Sequence, residues 1–258
     1  MGSLRMIADA LAASAAELVR AGTSLDVRDM TPLRTTLTVD GSPKKCRKQG
    51  RRWFGVLIHT TGGGIAKLAR LKGRTIEAVT RSVYGNVGMS FAHRVVMPEG
   101  WILRCADDSI IAPHCGVKAW QRAALLDGTW RAHVSDEGER LWEARWPGVK
   151  SPQHLFPTSG GNDAYLGIET VQVEAIDRAT GTRFTMAQYV ATARQVVAWE
   201  RAHGFVAAGN RLVTHEDVQP FERWDAHGGW DPGILRAKPT YNWPLLLECI
   251  AAAREVAP

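Results

Sequence analysis

From Trp53 onward, short apolar runs alternate with longer stretches of helical periodicity. The apolar runs have the length and composition of strands, and turn residues separate them. The expected strands are residues 56–59, 90–97, 101–106, 165–173 and 211–215, and the expected helices are residues 65–84, 185–204 and 243–256. Thr185 is expected to cap the second of these helices and Gly204 to end it. Because strands that alternate with helices form one sheet covered by helices, the sequence predicts an α/β domain with a central mixed β-sheet.

Two segments fall outside this alternation. Residues 4–20 carry apolar side chains at spacings of three and four, which predicts an amphipathic helix, and a polar linker follows that ends in the basic run of residues 44–52. Residues 117–163 contain four tryptophans and no clear period, which indicates a surface insertion. We expect its tryptophans to form a small core of their own, with a wall for stacking carbohydrate as the alternative. The predicted division is residues 1–50, an N-terminal helix and basic linker, and residues 51–258, a single domain.

Charge and composition narrow the class of partner. The chain has 258 residues, of which 45% are hydrophobic, and a net charge of +6, which favours an anionic partner or surface. Nucleic acid is not favoured, because the basic residues form a run in a linker and no patterned helix or aromatic sheet motif. Asp9 and Glu17 interrupt the only segment that resembles a signal peptide, and no apolar run is long enough to span a membrane. We therefore expect synthesis in the cytoplasm without a signal peptide, and no stable membrane insertion.

Three residues of metal-ligand type stand at strand ends or in a turn-rich loop. They are His59 in VLIHTT, His215 in LVTHEDV and Asp231 in GGWDPG. Two imidazoles and one carboxylate are the protein ligands of a catalytic zinc site, which keeps its fourth position open. From the residues alone, a purely structural histidine at the end of a core strand remains the alternative for His59.

Six motifs in order resemble those of the zinc-dependent N-acetylmuramoyl-L-alanine amidases, a type that includes phage lysins, the cytoplasmic cell-wall recycling amidase and peptidoglycan-recognition proteins. The motifs are LIHTT, SFAH before a hairpin, PHCG, GIE, THEDV and DPG, and they span about Trp53 to Cys249. The resemblance implies Zn²⁺ as cofactor, with His59, His215 and Asp231 as its ligands. It implies peptidoglycan or a muropeptide as substrate, cleaved at the amide between N-acetylmuramic acid and L-alanine. We expect the protein to be a monomer.

The same resemblance assigns roles around the metal. Glu169 in GIE matches the glutamate thought to act as general base in the branch whose third ligand is aspartate. His114 in PHCG matches a histidine that lines the substrate cleft. His93 and Thr60 are likewise expected to be substrate-binding residues.

One position departs from the family pattern. The aspartate branch has a lysine two residues before the third ligand, where it is expected to stabilise the tetrahedral intermediate, and here that position is Gly229. His227 and Arg223 are candidates for the missing positive charge, and we assign His227 a catalytic role on this ground. The same loop holds Asp225 and His227, so that the assignment of Asp231 as third ligand has alternatives nearby.

The expected function is that of a phage-type enzyme that acts on the cell wall after release from the cytoplasm. The positive charge fits an anionic wall. A recycling amidase that acts on soluble muropeptides is the nearest alternative, and it would need no basic run. A peptidoglycan-binding module without catalysis is a third, favoured by the missing lysine and disfavoured by the intact ligand set.

Overall fold

The computed structural model of the chain describes most of the main domain. The described residues are 13, 17, 25–29, 50, 52–61, 64–85, 92–115, 119–155, 161–220, 231–233 and 240–256. Ala13 and Glu17, in the predicted N-terminal helix, are helical and exposed. The rest of that helix, most of the basic run, and Arg223, His227 and Gly229 lie outside the described residues.

In the part of the chain that the structure describes, six strands form one mixed sheet. They are β1 (Val27–Asp29), β2 (Gly55–Thr60), β3 (Arg94–Val96), β4 (Ile102–Arg104), β5 (Tyr165–Thr170) and β6 (Leu212–Thr214). Their spatial order is β1-β4-β3-β5-β2-β6, and neighbours run parallel except for the antiparallel pair β3 and β4. The prediction of an α/β domain with a central mixed sheet is confirmed. The edge strand β1 was not predicted, because its three exposed residues have no apolar pattern.

Besides Ala13 and Glu17, the described residues contain eight α-helices. They are α1 (Gly64–Leu71), α2 (Ile76–Gly85), α3 (Ala119–Asp127), α4 (Asp136–Arg145), α5 (Gly161–Ala164), α6 (Met186–His203), α7 (His215–Val218) and α8 (Trp243–Val256). Short 3-10 turns lie at Thr129–His133, Pro152–Leu155 and Gly209–Arg211. None of the helices in these ranges is long and apolar enough to cross a membrane.

The ends of α6 are those predicted from the sequence. The Thr185 hydroxyl accepts a hydrogen bond from the backbone N–H of Gln188, whose side chain accepts one from the Thr185 N–H, so the two residues form a capping box. At the other end Gly204 has φ of 70°, a left-handed conformation that glycine adopts without strain.

The predicted helix over residues 65–84 is wrong as a single element, because the structure has two helices there. Gly73 turns the chain with φ of 58° after α1. Thr75 then starts α2, because its hydroxyl accepts the backbone N–H of Ala78 at 3.1 Å. The turn folds the two apolar faces against β3 and β4, where they share one core cluster.

The two faces of the sheet carry different layers. On one face Val56 and Ile58 of β2 pack under α6 and α8 in the largest core cluster. On the other face Leu57 packs with side chains of the insertion at residues 117–163. Alternate residues of a strand point to opposite faces, so β2 belongs to both layers.

The insertion is helical and continuous with the core of the domain. Trp130 and Trp142 are fully buried in the same cluster as Leu57 and Tyr165 of the sheet. The expectation of a surface insertion with a separate small core therefore needs correction: its two buried indoles cover the sheet directly. A carbohydrate-stacking role is excluded for these two side chains by their burial, whereas Trp120 is 50% exposed.

Candidate metal centre

The sheet topology brings two predicted ligands to one edge. His59 lies near the end of β2, and His215 directly follows β6. Because β2 and β6 are adjacent and parallel, their carboxyl ends meet at the same edge of the sheet. The two imidazole rings lie edge to face with centroids 4.5 Å apart.

Asp231 reaches the same edge and is hydrogen-bonded to β2 and to α7. Its Oδ1 accepts the backbone N–H of Thr60 at 2.6 Å, and its backbone carbonyl accepts the N–H of Glu216 at 3.1 Å. The residue is 6% exposed. The three predicted ligands are thus brought together, with their ligand atoms all within 4.8 Å of one another.

The hydrogen bonds around His59 orient its Nδ1 toward the centre. Nε2 of His114 donates to the carbonyl of Tyr165 at 2.9 Å, so Nδ1 of His114 is an acceptor. Burial, with a further contribution from His59 and His93, lowers the pKa of His114 well below its ordinary value, and this ring is neutral. Nε2 of His59 therefore donates to Nδ1 of His114 at 2.9 Å. The other nitrogen of His59 is left to face Asp231.

His215 has the same arrangement. Its Nε2 donates to Oε1 of Gln219 at 2.7 Å, which leaves Nδ1 directed at Asp231. Oδ2 of Asp231 is 2.9 Å from this nitrogen and 3.3 Å from Nδ1 of His59. Two imidazole nitrogens and a carboxylate oxygen converge, an arrangement that favours a cation between them.

The charge state of Asp231 agrees with this. Burial by itself would raise the pKa of the carboxyl, but the charges and hydrogen bonds of His59 and His215 outweigh it and lower that pKa. The carboxyl is therefore ionised at neutral pH and can act as a metal ligand.

The donor set is of a type that zinc takes, and two of its interatomic distances agree with a zinc site. Nitrogen and oxygen ligands at about 2.0–2.2 Å from zinc stand roughly 3.3 Å apart in a tetrahedron. Oδ2 of Asp231 lies 3.3 Å and 2.9 Å from the two Nδ1 atoms, close to that value. Three protein ligands would leave the fourth position open.

Glu169 lies beside the centre on the neighbouring strand. It is in register with His59 across the parallel pair β2 and β5, so that both side chains leave the sheet on the same face. Adjacent strands are about 4.8 Å apart, which puts the Glu169 carboxyl within reach of the space next to the ligands. The residue is partly exposed. Its predicted catalytic role has suitable geometry and remains a prediction.

Two of the expected substrate-binding residues lie inside the protein. His93 is 0% exposed; its Nδ1 accepts the N–H of Gly167 at 3.0 Å and its Nε2 donates to the carbonyl of Ile110 at 3.0 Å. His114 stands behind His59. The geometry gives both rings structural partners, and their role in substrate binding remains a prediction. Thr60 contributes its backbone N–H to Asp231, and a substrate contact from its side chain remains a prediction.

The sequence of the chain matches the family model of N-acetylmuramoyl-L-alanine amidase over residues 49–234. The match spans β2 to β6, every ligand of the centre and the insertion. The chain belongs to the N-acetylmuramoyl-L-alanine amidase family. The expected class of enzyme, an amidase that acts on peptidoglycan, is thereby confirmed.

Solved structures similar to this amidase include a hydrolase, a derivative of AmpD and an endolysin. The hydrolase AmiA of Staphylococcus aureus, in complex with its ligand, matches 96% of the amidase with 94% of its own chain, at 14% identity and a TM-score of 0.51. A selenomethionine derivative of AmpD matches at 16% identity and a TM-score of 0.46, with 88% of this chain and 96% of that chain covered. The endolysin of the Thermus scotoductus MAT2119 bacteriophage Ph2119 matches at 15% identity and a TM-score of 0.39, with 80% and 89% covered. At this identity the AmiA likeness concerns the fold only. Curated protein sequences give no significant match.

Sequence reasoning missed the residues that hold His215 in the amidase. Gln219 binds the imidazole, and Asp217 forms a capping box with Thr214 around it. Both contacts could have been predicted from local spacing. Gln219 is four residues after His215, which places the two on one helical face, and the spacing of Thr214 and Asp217 is that of a capping box. Arg145, which pairs with Asp217, gave no signal, since 72 residues separate the two in the sequence.

Proposed function

We propose that this amidase hydrolyses the amide bond between N-acetylmuramic acid and L-alanine with Zn²⁺ held by His59, His215 and Asp231. The observation that supports this proposal is the convergence of the Nδ1 atoms of His59 and His215 on one oxygen of the ionised Asp231 carboxylate. A bound zinc ion would polarise the substrate carbonyl and lower the pKa of water so that it attacks at neutral pH.

The residues of the chain supply the remaining functions. Glu169 takes a proton from the attacking water and gives it to the departing amine of L-alanine, so that the products are a carboxylate and a free amino terminus. Its register with His59 supports this assignment. His227 is our candidate for the positive charge that stabilises the tetrahedral intermediate, in place of the family lysine.

A purified-peptidoglycan assay tests the zinc mechanism. We expect the wild type to release free amino termini of L-alanine, and we expect His215→Ala or a chelator to abolish the release. His154→Ala is the matched control, because this exposed histidine of the insertion is hydrogen-bonded to Ser151 and is not one of the proposed ligands. Full activity after complete metal removal contradicts the zinc mechanism. Binding to peptidoglycan without any release of amino termini favours the non-catalytic module.

We further propose that the enzyme has a phage-type lytic role and acts on the intact wall. The net charge of +6 supports this role, because a cationic protein is attracted to an anionic wall. Lysis of whole cells should then weaken markedly when ionic strength rises from about 0.05 to about 0.5 M, as charges become screened, while cleavage of a small soluble muropeptide should change little. Equal salt dependence for both substrates, or cleavage of the soluble muropeptide alone, favours a recycling role.

A further inference from the structure

Side chains of the insertion form hydrogen bonds with α7, the short helix that begins at His215. Asp217, two residues after the ligand, has a side chain that is 0% exposed. Arg145 at the end of α4 donates to it twice, from Nε to Oδ1 at 2.7 Å and from Nη2 to Oδ2 at 3.0 Å. Trp146 adds a bond from Nε1 to Oδ1 at 2.8 Å. A buried carboxylate is thus clamped by two neighbouring residues of the insertion.

The same carboxylate fixes the backbone on either side of His215. Oδ2 of Asp217 accepts the N–H of Thr214 at 2.7 Å, and the Thr214 hydroxyl accepts the N–H of Asp217 at 3.3 Å. This capping box encloses the ligand between its two members. Trp142 donates to the carbonyl of Asp217 at 2.9 Å, a second bond from the insertion to this turn.

The imidazole of His215 is also connected to the insertion. Its Nε2 donates to Gln219, and the side-chain amide of Gln219 donates to Oε1 of Gln121 at 3.4 Å. Gln121 lies on α3 and is fully buried. Helix α3 of the insertion therefore reaches the imidazole of His215 through Gln219. Helix α4 reaches the backbone turn around His215 through Asp217.

We propose that Arg145 is a positioning residue for the metal: through Asp217 it holds the turn so that Nδ1 of His215 points at the ion. This inference rests on the proposed zinc centre and adds that the insertion sets its affinity. The rival role is simple docking of α4. A buried ion pair is a poor choice for docking alone, because apolar residues of similar volume stabilise as well or better. Docking of α4 alone would not require the hydrogen bonds between Asp217 and Thr214 that enclose His215.

The test measures Zn²⁺ affinity of the full chain by competition with a chromophoric chelator, and the absorption spectrum of the Co²⁺ form, which reports ligand geometry. Loss of a partner outside the ligand shell typically costs about 10- to 100-fold in metal affinity, and we expect an increase of that size in the Kd of Arg145→Met. Arg145→Lys keeps the charge but loses the planar fork, and its Kd should lie between those of the wild type and Arg145→Met.

Arg131→Met is the matched control. Arg131 also pairs with carboxylates, those of Glu139 and Glu143, and its guanidinium lies over the indole of Trp130. Its partners are within the insertion, so we expect a Kd within about twofold of the wild type, as for a surface substitution away from the site. If Arg145→Met fails to fold, Trp146→Phe removes a single bond to Asp217, and a smaller rise in Kd is expected.

The outcomes separate the two proposals. A lower melting temperature of the metal-free variants with unchanged Zn²⁺ Kd and Co²⁺ spectrum means that Arg145 only docks α4, and this inference is then wrong. A wild type that binds no Zn²⁺ contradicts the proposed metal centre itself, and with it this inference. Tight binding by both the wild type and Arg145→Met contradicts the inference alone.

Discussion

Gly167 leaves the space that the imidazole of His114 occupies. A Cβ at this position would lie 2.7 Å from Nδ1 and 2.8 Å from Cγ of that ring, closer than real contacts allow. For Gly167→Ala we therefore expect the ring to shift and its bond with His59 to break. The free energy of unfolding should fall by about 1–3 kcal/mol, as for other overpacked sites, and Zn²⁺ affinity should fall with it. Urea unfolding and chelator competition measure the two effects.

Gly64→Ala is the control for this substitution. Gly64 is the first residue of α1, and a Cβ at this position would meet no atom within 4 Å. It should leave the Zn²⁺ affinity at the wild-type value. Wild-type affinity in Gly167→Ala as well would show that His114 is not needed to orient His59.

The convergence of the three proposed metal ligands could be predicted from the sequence because strand ends and turn-rich loops place side chains at the edge of a sheet. His59 and His215 follow apolar runs that are easily assigned to strands. The partners that orient these ligands could not be predicted in the same way. Gln121 and Gln219 are 98 residues apart, and only the fold of the insertion brings them together.

The buried tryptophans of the insertion indicate that this segment packs on the sheet as a structural layer and is not a surface loop. Trp130 is 0% exposed and Trp120 is 50% exposed, on neighbouring elements of the same segment. We expect Trp130→Ala to lower the free energy of unfolding by about 3–5 kcal/mol, since it leaves a large cavity against the sheet. Trp120→Ala should change it by less than about 0.5 kcal/mol. Chemical denaturation of both variants measures the difference, and equal effects would mean that the insertion does not pack as a layer.

Secondary structure was predictable where one pattern lasted long enough. The cap and the final glycine of α6 enclose 18 helical residues, and that helix was predicted within a residue at either end. The insertion instead divides into α3 and α4, of 9 and 10 residues, joined by a 3-10 turn. Short helices of this kind give no sustained period, and their burial depends on the sheet beneath them.

The layer formed by α6 and α8 predicts how stability depends on alkaline pH. Burial, together with nearby Glu248, raises the pKa of the Cys249 thiol on α8 to about 12. An unfolded thiol has a pKa of about 8.5, so the folded state keeps a proton that the unfolded state loses above that pH. The contribution of Cys249 is complete below about pH 8.5 and is lost as the pH rises toward 12, at up to about 1.4 kcal/mol per pH unit.

Urea unfolding at pH 7.5, 9 and 10.5 tests this for the wild type and Cys249→Ala. We expect the free energy of unfolding of the wild type to fall more steeply above pH 8.5 than that of the variant. Burial also raises the pKa values of Tyr189 and Tyr241 in the same layer, but these groups are present in both proteins. Parallel pH profiles would show that the thiol ionises as easily in the folded protein as in the unfolded chain.

For the molecule as a whole, a metal ion would join two strands and a distant loop residue. A ligand that binds only the folded state at 100 times its Kd adds about 2.7 kcal/mol of stability. In a chain of this size we expect a rise in melting temperature of roughly 5–10 °C on adding Zn²⁺, reversed by a chelator. His215→Ala should lose this rise and His154→Ala should keep it. Thermal unfolding followed by circular dichroism measures the shift, and an equal rise in His215→Ala would place the stabilising ion elsewhere.

The alternation of β2 between two layers restricts which changes in length the chain tolerates. Ile58 faces the apolar layer under α6 and α8, and His59 faces the opposite side of the sheet. Deleting a single residue early in this strand would exchange those orientations, because side chains alternate with a period of two. The strand is hydrogen-bonded to β5 and β6 on both sides and has no free edge along which to slip. Exchanges among apolar residues should therefore be tolerated in β2, whereas one-residue deletions should be lost from any collection of active variants.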